Sequence, residues 1–187
     1  MKNTMLGRFL MAAALLAGAA AASTKVSANL PQSDSDIATN VRHEIVMYPR
    51  YSIWDDVSFR VVNGNVEIEG AVNQPFKKQD IERLVQRVPG VTGVTNEIKV
   101  LPLSSMDDRL RLQVASAIYR DPSLSRYAAM PVPSIHIIVE NGHVTLTGIV
   151  FTDMEKQIAG MRAGTASGLS FGPITNNLVV EHPARKS

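Results

Sequence analysis

Apolar residues recur at one-turn spacing in Ile37, Val41 and Ile45, and again in Leu110, Val114 and Ile118. That spacing predicts an amphipathic helix near the start of each half of the chain. Ser33-x-x-Asp36 and Ser105-x-x-Asp108 stand before these stripes, and a serine oxygen that satisfies an orphan amide marks a helix start. Pro49 and Pro122 mark the regions where the helices must end. The period then changes to two. Val57, Phe59 and Val61 are followed by Asn63-Gly64 and then Val66 and Ile68; Ile135, Ile137 and Val139 are followed by Asn141-Gly142 and then Val144 and Leu146. Asn-Gly tolerates the positive φ of a two-residue turn, so each run predicts an antiparallel hairpin with one buried face.

A second amphipathic stripe, Ile81, Leu84, Val85 and Val88, predicts a helix that packs on the first hairpin and stops at Pro89-Gly90, before a last strand from Val94 to Leu101. The corresponding stretch in the second half carries Gly160, Gly164 and Gly168. Each glycine costs about 1 kcal/mol relative to alanine in a helix, so a short or frayed helix is expected, with close packing or flexibility as the reason for the glycines.

The two halves are copies. At an offset of 78 residues Gly64 meets Gly142, Val66 meets Val144, Ile68 meets Leu146 and Gly70 meets Gly148. Val94, Asn96, Ile98 and Val100 meet Ile174, Asn176, Leu178 and Val180 at an offset of 80. Matches kept in order over this length indicate a duplicated helix–hairpin–helix–strand module. The fold class is therefore α+β, two tandem αββαβ modules, each a three-stranded mixed sheet packed on two helices. The organisation expected is residues 1–28 as a leader, 33–102 and 105–182 as the modules, Pro102 to Ser105 as the linker and 183–187 as a tail.

Lys2 and Arg8 precede an uncharged Leu, Met and Ala run, and Val26-Ser27-Ala28 offers small residues for cleavage, so a secretory signal peptide ending near Ala28 is expected. This implies a periplasmic protein. The absence of cysteine excludes a lipid-modified N-terminus, disulfides and thiolate metal sites. Three of the 19 basic residues lie in that leader, leaving 16 against 17 acidic residues, a net charge near −1. No basic field remains for nucleic acid.

Candidate chemistry is sparse. Gly168-Leu169-Ser170-Phe171-Gly172 matches a nucleophile elbow, but Pro173 and a strand follow where a helix is needed, so a serine hydrolase is a remote alternative. His43-Glu44 has Met47 where a second metal ligand would stand. His136 and His143 flank the second turn as expected solvent-facing strand residues, without a third ligand. No enzyme activity, cofactor or metal is expected. The surface candidate is Tyr48-Pro49-Arg50-Tyr51-Ser52-Ile53-Trp54, with Tyr48, Arg50, Tyr51, Ile53 and Trp54 joined by Arg126 and Tyr127 of the second copy. Amphipathic rings beside a cation suit a lipid headgroup boundary or a protein contact, whereas Tyr51, Ile53 and Trp54 could equally fold over a small core.

Asn63-Gly64, Gly70 and Gly90-Val91-Thr92-Gly93-Val94-Thr95-Asn96, with Asn141-Gly142, Gly148 and Ile174-Thr175-Asn176 in the second copy, resemble the BON domain. The structural motif positions are Asn63, Gly64, Gly70, Gly90, Val94, Asn96, Asn141, Gly142, Gly148 and Asn176. The arrangement is similar to that of exported tandem-BON proteins linked to osmotic stress. The resemblance implies a non-enzymatic envelope protein whose partners are a phospholipid surface or envelope proteins, with chaperone-like binding of unfolded clients as the alternative.

Overall fold

The computed structural model describes residues 32–130, 132–168 and 174–181. The leader, residues 169–172 of the pentapeptide around Ser170 and the tail lie outside them. In the first copy α1 (Asp34–Val46) leads to the hairpin β1 (Asp56–Val62) and β2 (Asn65–Val72), then α2 (Pro75–Gln86) and a final strand in two pieces, β3 (Gly93–Asn96) and β4 (Lys99–Val100). The second copy repeats the order with α3 (Ser105–Tyr119), a four-residue turn of helix α4 (Ser125–Ala128), β5 (Ile135–Glu140), β6 (His143–Val150), α5 (Asp153–Ser167), β7 (Ile174–Asn176) and β8 (Val179–Val180).

Each hairpin is antiparallel, and the last strand returns parallel to the hairpin's second strand, so β2 and β6 are central in mixed sheets. The predicted stripes form the cores: Ile37, Val41 and Ile45 pack with Val66, Ile68, Ile81 and Val85, while Leu110, Val114 and Ile118 pack with Ile135, Ile137, Val144 and Leu146. Both turns place asparagine and glycine at positive φ, 51° and 77° for Asn63-Gly64 and 51° and 79° for Asn141-Gly142. Gly70 and Gly148 have φ of 122° and 105°, and a Cβ there would stand 2.1 Å from Asp56 O and 1.9 Å from Ser134 O. Only glycine lets the hairpin partner approach so closely.

The motif asparagine explains the broken last strand. Asn96 Oδ1 accepts from Ile98 N at 3.1 Å while its Nδ2 donates to Lys78 O at 3.0 Å, so one side chain bridges the strand interruption and ties it to α2. Asn176 does the same, donating to Lys156 O at 2.8 Å and accepting from Leu178 N at 3.3 Å. Gly90, at φ 88°, turns the chain after α2 toward Val94 in β3.

Two local expectations need correction. The α3 cap is Ser104, not Ser105: its side chain accepts from Asp107 N at 3.1 Å. Asp107 does not reach back to the cap, because its carboxylate instead accepts from Asn141 N and Gly142 N, both at 2.9 Å. The α5 helix is continuous through Gly160 and Gly164, started by a capping box between Thr152 and Glu155. A Cβ on Gly160 would stand 2.8 Å from Asn176 Nδ2, so that glycine gives the helix its close seat against the last strand. Packing and capping outweigh the lost propensity.

Candidate functional site

The aromatic segment after α1 joins the two modules. Ile53 accepts a hydrogen bond at its carbonyl from Ile137 N of β5 at 2.7 Å. Trp54 packs on the core of the second module, and the Tyr51 ring lies against His136 with centroids 5.4 Å apart. Lys99 and Glu140 add an ion pair at 2.7 Å between the last strand of one copy and β5 of the other. The segment is held from beneath by Asp55, which is 0% exposed. Its carboxylate accepts from Ser52 N at 2.9 Å, Ser52 Oγ at 2.8 Å, Asn73 N at 3.1 Å and Lys77 Nζ at 2.6 Å, and Lys77 is itself 5% exposed. A buried charge with this many partners fixes the turn from which Ile53 and Trp54 project. At Lys77's place in the second copy stands Glu155, also buried, accepting from Tyr127 Oη at 3.0 Å, so equivalent positions carry opposite charges.

His136 is buried, not solvent-facing, and its cross-strand partner is Thr147 and not His143. The second module's edge is covered here by Tyr51. Burial holds the imidazole pKa below 6.5, with Asp56 and Asp55 and the backbone of Ser52 and Asp55 pulling the other way. Nδ1 has no hydrogen-bond partner among the described residues. The residue borders a cleft of about 380 Å³ between the modules, lined by Val57 and Phe59 of the first and by Val132 and Pro133 of the second.

The surface candidates are thus divided. Tyr51, Ile53 and Trp54 belong to the seam. Tyr48 is buried with its hydroxyl donating to Asp80 at 2.6 Å, and burial followed by that carboxylate raises its pKa to about 12. Tyr127 is 1% exposed. Its hydroxyl also accepts from Phe151 N at 2.9 Å, and burial raises its pKa. Arg50 and Arg126 stay exposed, and each guanidinium lies over a phenylalanine, Phe76 at 5.0 Å and Phe151 at 5.8 Å. Each module therefore keeps an exposed cation–aromatic corner, and the first has a further contact, Arg42 over Phe59 at 6.0 Å.

A wider groove that sequence reasoning missed lies between α3 and α5, about 710 Å³ and lined by Leu112, Ala117, Ala166, Arg120, Asp121 and Arg162 among others. Leu112 is 64% exposed. Asp121 holds Arg162 at 2.6 Å, and its pKa is lowered by Ser123 N and then by that arginine, whereas Arg120 has no ion-pair partner among the described residues. The groove was hidden because its residues come from two helices 40 or more positions apart. Among the described residues there is no cluster of three metal-ligating side chains and no helix long and apolar enough to cross a membrane.

The BON domain family model matches residues 33–102 and again 106–181. The chain belongs to the BON family. The paired match accords with the duplicated fold. Comparison with curated proteins finds no match. Two solved structures of CdsD, a structural protein of the type III secretion system of Chlamydia trachomatis, are similar to this BON chain at 12% identity each. They cover 80% of it and 94% and 99% of their own chains, with TM-scores of 0.27 and 0.29.

Proposed function

We propose that this tandem-BON chain is a non-catalytic periplasmic protein that associates with phospholipid and serves the envelope under osmotic or related stress. The observation that carries the reading is the groove between α3 and α5. Its lining includes Ala117 and Ala166, the exposed Leu112 and Arg120, a pairing suited to an acyl surface beside a phosphate. The corners Arg50–Phe76 and Arg126–Phe151 supply further weak cation–aromatic contacts. A mature charge near −1 gives no long-range attraction to anionic lipid, so binding is composite and moderate.

Cosedimentation with vesicles of phosphatidylglycerol and phosphatidylethanolamine tests it. Leu112→Glu with Arg120→Glu lowers the bound fraction several-fold, and Arg50→Ala with Arg126→Ala lowers it less. No sedimentation of the parent chain, or equal sedimentation of the groove variant, overturns the reading.

A further inference from the structure

The two modules treat the same sheet edge differently. In each hairpin the two-residue turn makes the closing pair hydrogen-bonded, so the residues at alternate positions before it point their N–H and C=O groups away from the partner strand. In β5 these residues are Ile135, Ile137 and Val139, and all three are engaged. Tyr119 Oη donates to Ile135 O at 2.6 Å, Ile137 N donates to Ile53 O at 2.7 Å, and Arg111 donates to Val139 O at 2.6 Å. The edge is met by two side chains and one main-chain carbonyl, that of Ile53 in the turn from Ser52 to Asp55.

In β1 the corresponding residues are Val57, Phe59 and Val61. Where α3 has Arg111 and Tyr119, α1 has Ala38 and Val46 at the equivalent offset of the core stripe. Neither can reach an edge carbonyl with a donor. Among the described residues the outward backbone groups of Phe59 and Val61 have no hydrogen-bond partner. Their side chains are only half-buried, while the matching Ile137 and Val139 are fully buried. Beside this edge run two adjoining clefts, of about 380 and 480 Å³, which share Arg42 and Phe59 and together follow β1 from the seam to Val61. His136 lines the seam end.

We infer that the open edge of β1 binds an extended polypeptide segment of another chain, which adds a strand to the first module's sheet. The equivalent edge of β5 already takes a main-chain partner from the other module: the turn residue Ile53 offers its carbonyl to Ile137 N, and Trp54 packs on the core beyond. The site at β1 is continuous with that seam. Recognition by main-chain bonds makes the partner one of shape and alternation, apolar at every second residue, as in an unfolded or extended client.

The test uses the intact mature chain and a short fluorescein-labelled peptide of alternating valine and threonine flanked by glutamates. Saturable anisotropy change is expected, together with slowed amide exchange at Phe59 and Val61. The same peptide N-methylated at alternate residues cannot pair as a strand and is expected to lose the signal. Ala38→Arg with Val46→Tyr transplants the closures of the second module, and is expected to weaken binding by about tenfold or more while the melting temperature is kept or raised. Equal binding of the N-methylated peptide, undiminished binding to the closed variant, or no binding of the unmodified peptide overturns the inference.

Discussion

Replacing Lys77 with methionine removes the cation from the most buried ion pair and leaves Asp55 charged at 0% exposure. Breaking a buried pair on one side costs about 3–5 kcal/mol, because the remaining charge loses its main compensation. Asp55 keeps three hydrogen bonds, from Ser52 N, Ser52 Oγ and Asn73 N, which place the expected cost near the lower end, about 3 kcal/mol. Asp55→Asn together with Lys77→Met removes both charges but leaves a single acceptor oxygen where Ser52 N and Asn73 N each had their own, so one of these amides faces Nδ2. The double variant is therefore expected to recover about 1 kcal/mol of the single variant's loss. Urea denaturation followed by circular dichroism and by the fluorescence of Trp54, the one tryptophan, gives both values. A Lys77→Met cost under about 0.5 kcal/mol, or a double variant no better than the single one, would refute this role for the pair.

Gly148→Ala is expected to abolish folding of the second module or cost more than about 3 kcal/mol, because a Cβ would sit 1.9 Å from Ser134 O in a backbone at φ 105°; thermal melting of the purified chain checks it. Asp107→Ala leaves the two turn amides of Asn141 and Gly142 without their acceptor and is expected to cost about 2 kcal/mol, against about 1 kcal/mol for Asp34→Ala, whose carboxylate holds Asn63 N and Gly64 N in a more open setting. His136 has its folded-state pKa below 6.5, so below that pH the unfolded chain takes up a proton that the folded chain resists. Stability is thus expected to fall as pH drops from about 6.5, and His136→Phe should flatten that part of a melting-temperature profile.

Much of the fold was legible because its determinants are local. The periods of 3.6 and 2, the Asn-Gly turns and the duplicated order need only neighbouring residues, and each reappears as a helix, hairpin or core stripe. What was not legible arises from contacts between distant segments. The docking of Ile53 on Ile137 is a main-chain contact across 84 positions and leaves no side-chain pattern, so the aromatic segment read equally as a membrane contact or a core cover. Of its rings Trp54 covers the core of the other module, while Tyr48 and Tyr51 pack on the core of their own. His136 read as solvent-facing because alternation alone cannot show that a neighbouring module covers a strand's outer face. Gly160, Gly164 and Gly168 argued against a continuous helix by propensity, yet Gly160 marks a close approach that only the position of Asn176 reveals. The turn clamps had a faint signal: Asp34 and Asp107 each stand three residues before the first core residue of their helix, Ile37 and Leu110.

The docking of the first module's aromatic segment on the second module is tested most directly by Trp54 emission. In the mature two-module chain Trp54 packs on the second core, so its emission is expected to be blue-shifted and weakly quenched by acrylamide. In a chain ending at Leu103, with circular dichroism confirming that the first module remains folded, the emission should move to that of a water-exposed indole. Identical spectra and quenching in the two chains would contradict the docked arrangement.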